Sequence, residues 1–156
     1  MEKTVLIIGG TGFFGKCILE SFINGKLEKF HIKKIIINSR NSSNFKKKYP
    51  QLINNQVSFF DADISNANYI PDSDYVIHAA TSTNKNDYIL DENKELLNIQ
   101  RGAKNFVNII KGKSKNIKIL YCSSGAVYGQ QNKNEYKISE NFTFKPIDSL
   151  EKEKRM

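Results

Sequence analysis

With 156 residues, a formal net charge of +8 and two cysteines, the chain is one domain's worth of polypeptide, long enough to bury a core and short for a two-domain enzyme. The positive charge is nearly all lysine, scattered among asparagine and isoleucine without an arginine-rich stripe, which argues against a nucleic-acid partner. Cys17 and Cys122 stand far apart, with no Cys-x-x-Cys and no histidine at metal spacing, so neither a disulfide framework nor a metal site is indicated and both are expected as reduced thiols in a cytoplasmic protein.

The opening "MEKTVLIIGG" holds an apolar run too short for a signal segment or a membrane span, and a soluble chain is expected. Within it "TVLII" (4–8) is β-branched and closed by glycines, which predicts a strand. "GKCILESFING" (15–25) sets Cys17, Ile18, Phe22 and Ile23 at helical spacing and stops at Gly25. "KKIIIN" (33–38), "VSFFDADI" (57–64) and "DYVIHAA" (74–80) follow as uninterrupted apolar runs, the pattern of strands covered on both faces. "SRNSSNFKKKYPQLINN" has room for one short helix, and "SNANYIPDS" reads as irregular. "DENKELLNIQRGAKNFVNIIKG" (91–112) puts Leu96, Ile99, Ala103, Phe106, Val107 and Ile110 on one helical face, and "IKILYC" (117–122) is the fifth strand.

Strands separated by helical or loop crossovers imply an α/β fold, a doubly wound parallel sheet of the Rossmann type. Residues 1–129 are expected to form a dinucleotide-binding domain, with 130–156 a polar loop and the start of a further helix near Ser149.

"GGTGFFG" (9–15) lies between the first strand and the first helix, the context in which such a loop cradles a diphosphate. Gly9 permits the sharp turn, Gly12 lets the backbone approach the phosphates, and Gly15 lets the helix pack on the strand. The helix N-terminus adds unpaired N–H groups and the positive end of a dipole. Two spacings fit, one counted from Gly10 and one from Gly9, so the glycines leave the subfamily open.

An acid about twenty residues past such a loop holds the adenosine ribose of NAD and repels a 2'-phosphate. Here that region reads "INSRNSS", with no Asp or Glu between Ile32 and Phe60. Arg40 can fork onto a phosphate and Ser39 can donate to it, so NADP is favoured over NAD, with a solvated arginine beside a neutral NAD site as the alternative.

Taken together, "GGTGFFG", "DADI", "HAA" and "SSGAVYG" resemble, in order, the motifs of the extended short-chain dehydrogenase/reductases, the family of nucleotide-sugar epimerases, dehydratases and reductases. The resemblance spans essentially the whole chain and implies that Gly9, Thr11, Gly12, Phe13, Phe14 and Gly15 surround the cofactor phosphates. It further implies that Asp63 bonds the adenine amino group beside Ile64, that Ala79, Ala80 and Thr81 let the cofactor lie close, and that Ser123 borders it. A turn-capping role for Asp63 and a packing role for His78 are the plainer alternatives. Asn98 and Gly102 echo a family Asn before Gly on the fourth helix, with one residue too many. By the same resemblance Ser124 bonds the sugar oxygen being oxidised, a task suited to a hydroxyl that both donates and accepts. Tyr128 would pack. Where dehydratases carry acids stand Gly125 and Ala126, which favours an epimerase or 4-keto-reductase acting on a nucleotide sugar.

The family's remaining catalyst is a tyrosine with a lysine four residues on, whose charge lowers the phenol pKa from about 10. Tyr49, Tyr69, Tyr75, Tyr88, Tyr121, Tyr128 and Tyr136 all lack that lysine. The expectation is therefore a truncated, inactive chain with half a catalytic pair, prone to self-associate or form homo-oligomers through uncovered edges. A non-catalytic dinucleotide sensor is the second expectation.

Overall fold

The computed structural model describes residues 2–81, 92–113, 116–129 and 137–143. Lys3–Ile8 form β1, Phe13–Ile23 α1, Ile32–Ser39 β2, Ser43–Lys48 α2, Val57–Asp61 β3, Tyr75–His78 β4, Glu92–Lys111 α3 and Lys118–Tyr121 β5, with short 3-10 turns at Glu28–Phe30, Pro50–Leu52 and Gly125–Tyr128. The five strands make one sheet in the order β3-β2-β1-β4-β5, and every pairing is parallel. Chain order runs outward from β1 through β2 to β3, then returns to β4 on the other side of β1. That reversal opens a crevice at the carboxyl ends of β1 and β4, where α/β sheets bind ligands.

Strand alternation sorts the core into two layers. Val5, Ile7, Ile35 and Ile37 face α1 and meet Leu19, Phe22 and Phe45. Leu6, Ile8 and Val76 face the other way and meet Ile70 and Phe106 of α3. Gly25 ends α1 with φ +73° and donates its N–H to the Phe22 carbonyl at 2.9 Å, the expected helix stop.

Three expectations need correction. Cys17 is exposed, and Leu19 takes the buried place on α1. Val107 points outward from α3, whereas Phe106 is buried and Ile99, Ala103 and Ile110 are half-buried; the Leu96 side chain lies outside the described residues. β3 ends at Asp61 rather than running to Ile64, because the Asp63 carboxylate accepts the Ser65 N–H at 2.9 Å and turns the chain. β5 is exposed along its whole length, in line with the expectation of uncovered edges. The tail expected from residue 130 lies largely outside the described residues, as does the helix expected near Ser149.

Candidate functional site

The turn after β1 is built from backbone at close quarters. Gly9 has φ +77°, and a Cβ there would stand 2.7 Å from the Ala80 Cα, so the glycine and the small β4 exit residues Ala79 and Ala80 require each other. Gly10 donates its N–H to the Asn38 carbonyl at 3.0 Å, and a Cβ on it would strike the Ile37 side chain. At Gly15 a Cβ would run into the Gly10 backbone, which is how α1 comes to lie on the turn. Gly12 differs from these three. It is exposed, its φ of −80° suits any residue, and a Cβ would meet only the Gly9 carbonyl at 3.2 Å. The space above it is open.

Gly12 is also the N-cap of α1, with no side-chain cap and no acid in the first turn, so the positive end of the helix dipole is left for an anion. Phe13 and Phe14 flank this end, 77% and 59% exposed, in an edge-to-face pair at 5.6 Å. Thr11 reaches sideways: its Oγ1 is 3.1 Å from the Ser39 Oγ at the end of β2. Ser39 also donates to the Asn41 carbonyl at 3.2 Å, which engages the hydroxyl in the bend, while Arg40 is exposed.

The ends of β2 and β3 and the loop after them are tied by two asparagines the sequence did not single out. Asn38, buried, donates to the Phe60 and Ala62 carbonyls at 2.9 and 3.0 Å and binds the ends of β2 and β3 together. Asn105 on α3 donates to the Ile64 and Ala67 carbonyls at 2.9 and 2.8 Å and fixes the loop holding Asp63 and Ile64. An asparagine within an apolar run was the available signal for each. Asp63 is half-buried and caps the turn to Ser65, and Ile64 touches the position of Gly102.

On the other side of the crevice, the Ala79 N–H bonds the Ile8 carbonyl and the Cys122 N–H bonds the His78 carbonyl, both at 2.9 Å, carrying the ladder past the strand ends. Thr81 is exposed at the lip. Ser123 is exposed and Ser124 half-buried just beyond β5, on the same sheet edge as the glycine turn and about 10 Å across from β1 at two strand spacings. The Ser124 carbonyl accepts the Val127 N–H at 3.2 Å and starts a 3-10 turn. Tyr128 packs edge-on to Phe142 at 6.3 Å. His78 is a packing residue, stacked on Tyr121 at 4.7 Å and edge-on to Phe106 at 4.8 Å; burial lowers its pKa from 6.5 to about 4 and keeps it neutral. Burial raises the Tyr121 phenol, and the Cys122 thiol adds to the rise.

The model of the NAD dependent epimerase/dehydratase family matches residues 5–153. The chain belongs to that family. UDP-glucose 4-epimerase of Rickettsia bellii (strain OSU 85-389) is 39% identical over 84 residues, which are 51% of this chain and 24% of that protein. The UDP-glucose 4-epimerase of Rickettsia prowazekii (strain Madrid E) is 36% identical over the same length. Among solved structures, UDP-N-acetylglucosamine 4-epimerase from Methanobrevibacter ruminantium M1, in complex with UDP-N-acetylmuramic acid, superposes with a TM-score of 0.75 at 25% identity over 99% of this chain and 47% of its own. UDP-glucose 4-epimerase from Bifidobacterium longum, in complex with NAD+ and UDP, shares the fold with a TM-score of 0.72 at 20% identity, over 97% of this chain and 46% of its own. The chain thus spans just under half the length of these structures. Among the described residues no helix is long and apolar enough to cross a membrane.

Proposed function

We propose that this chain, with residues 1–129 as the domain, is the dinucleotide-binding half of a nucleotide-sugar epimerase or 4-keto-reductase. The observation that carries this is the contrast inside the turn: Gly9, Gly10 and Gly15 are filled by the protein's own atoms, while Gly12 faces open space at an uncapped helix start. An exposed position where a side chain would meet only the Gly9 carbonyl suits a ligand backbone or phosphate. Thr11 and the first-turn amides of Phe13 and Phe14 would hold the diphosphate, Asp63 and Ile64 the adenine, and Ala79, Ala80, Thr81 and Ser123 the nicotinamide ribose side. Of the second-strand residues, Ser39 and Arg40 fit a 2'-phosphate, and by them alone NADP would be taken ahead of NAD. The bound dinucleotide would supply a hydride acceptor. Ser124 would donate to and accept from the sugar oxygen whose carbon loses hydride. No tyrosine in the sequence has a lysine four residues on, so the proposal assigns no proton acceptor among these residues and expects no turnover from them. Homologues named as UDP-sugar epimerases support a nucleotide sugar as the substrate class.

Titration calorimetry with NAD, NADP and a UDP-sugar tests this reading. The Gly12→Val variant is expected to lose at least about thirtyfold in dinucleotide affinity while still melting cooperatively, with a modest drop in melting temperature from the Gly9 carbonyl contact and the poorer helix cap. Equal affinity in the variant would refute the reading.

A further inference from the structure

The end of β2 lacks the acid that marks an NAD site, yet the sheet brings one there from the next strand. β2 and β3 run parallel with Ser39 paired to Asp61 as the last rung. Adjacent strands lie about 5 Å apart, and paired residues share a face. Asp61 therefore stands beside the residue that contacts Thr11 of the glycine turn at 3.1 Å. Its carboxylate is held in place: Ser42, wholly buried at the N-cap of α2, donates to the Asp61 Oδ2 at 2.9 Å. Asp61 itself is exposed, so the charge faces the solvent at the strand ends.

Building on the dinucleotide reading above, we propose that Asp61 is the specificity acid of this site, delivered by β3 in place of β2, and that it makes the chain prefer NAD to NADP. A 2'-phosphate at the end of β2 would bring close to two negative charges to within one strand spacing of a fixed carboxylate. Arg40 follows Ser39 directly and Asp61 is paired with Ser39 across the sheet, so a phosphate arriving there meets a carboxylate as well as the guanidinium. Ribose hydroxyls carry no such penalty. The Ser42 hydroxyl keeps the carboxylate from turning away when a phosphate approaches, which is why a buried serine at this place matters to the selection.

The test is calorimetry of NAD and NADP, at low ionic strength, on the 156-residue chain and two variants. Asp61→Asn keeps an acceptor for Ser42 and removes the charge; it is expected to shift the NADP-to-NAD affinity ratio toward NADP about fivefold. Ser42→Ala keeps the charge but frees the carboxylate to turn away, and is expected to narrow the preference for NAD about twofold without reversing it; a preference as strong as the wild type's would overturn the holding role of Ser42. Added salt should narrow the wild-type preference, as charge repulsion is screened. A wild type that prefers NADP, or an unchanged ratio in Asp61→Asn with an unchanged melting temperature, overturns the inference while leaving the dinucleotide reading intact. Failure of the wild type to bind either dinucleotide overturns both.

Discussion

On one side of β1 the sheet is sealed: Ile35 and Ile37 of β2 are 0% exposed beneath α1 and α2, and Phe45, Leu52 and Val57 close the layer. On the other side β5 leaves Ile119, Leu120 and Tyr121 exposed by 43%, 60% and 42%, and Leu120 joins Phe30, Tyr75 and Ile77 around an open apolar cleft of about 340 Å³. The two sides carry different parts of the site. The glycine turn proposed to bind phosphate belongs to the sealed side and is held by its own packing. Ser123 and Ser124 hang from the uncovered strand, whose apolar side chains gain stability only when something covers them. On the proposed reading, cofactor binding rests on the sealed side, whereas Ser123 and Ser124 sit on a strand that lacks cover.

The largest expected effect lies on the sealed side. Gly15→Ala drives a methyl into the Gly10 backbone, which neither strand nor helix can relieve, and urea unfolding is expected to show a loss of at least about 3 kcal/mol. A variant as stable as the wild type would break the claim that this turn is rigid.

Next comes His78, which joins the two sides through β4. The folded chain binds a proton on this ring only below about 4, whereas the unfolded chain does so below about 6.5. The unfolded state therefore takes up more protons as pH falls from 6.5 toward 4, and stability drops across that window by about 3 kcal/mol, then levels off. His78→Phe keeps an aromatic between Tyr121 and Phe106 and should lose this component; stability curves of equal acid slope for the two proteins would refute it.

The five strands and the glycine turn were legible in the sequence because each follows from local pattern: apolar runs, a helix with its stop at Gly25, and glycines between them. Asn38, Asn105 and Asp61 were not, since what each does depends on which strand or loop lies alongside. Asp61 is 22 places along the chain from Ser39 and pairs with it only once β2 and β3 align, so a search confined to the second strand passes it by. The exposure of β5 was legible only from the expected lack of cover at its edge, not from its own pattern. "IKIL" is as apolar as a buried strand, and composition records what a strand would bury, not whether a neighbour is there to bury it.

A middling effect is expected at the join of β2 and β3. Asn38→Ala leaves the Phe60 and Ala62 carbonyls without their donor and should cost about 2 kcal/mol in the same unfolding experiment. It should also weaken NAD through the displaced β3 end; an effect on NAD with no loss of stability would mean that Asn38 acts on the ligand directly.

The smallest effect on stability belongs to the open side. Leu120→Ser removes an exposed apolar group and is expected to change unfolding by less than about 0.5 kcal/mol. Self-association, followed by sedimentation velocity, should decrease in the same variant. A stability loss of core size would show that β5 is covered in solution and would erase the contrast between the two sides.

The central claim, that the bare turn after β1 receives a dinucleotide, is met most directly by amide chemical shifts of isotope-labelled protein titrated with NAD. The largest changes are predicted for the backbone N–H groups of Gly12, Phe13 and Phe14, with smaller ones at Ser39 and Ala80. Binding with those amides unmoved, or changes gathered instead along Lys118–Tyr121, would contradict it.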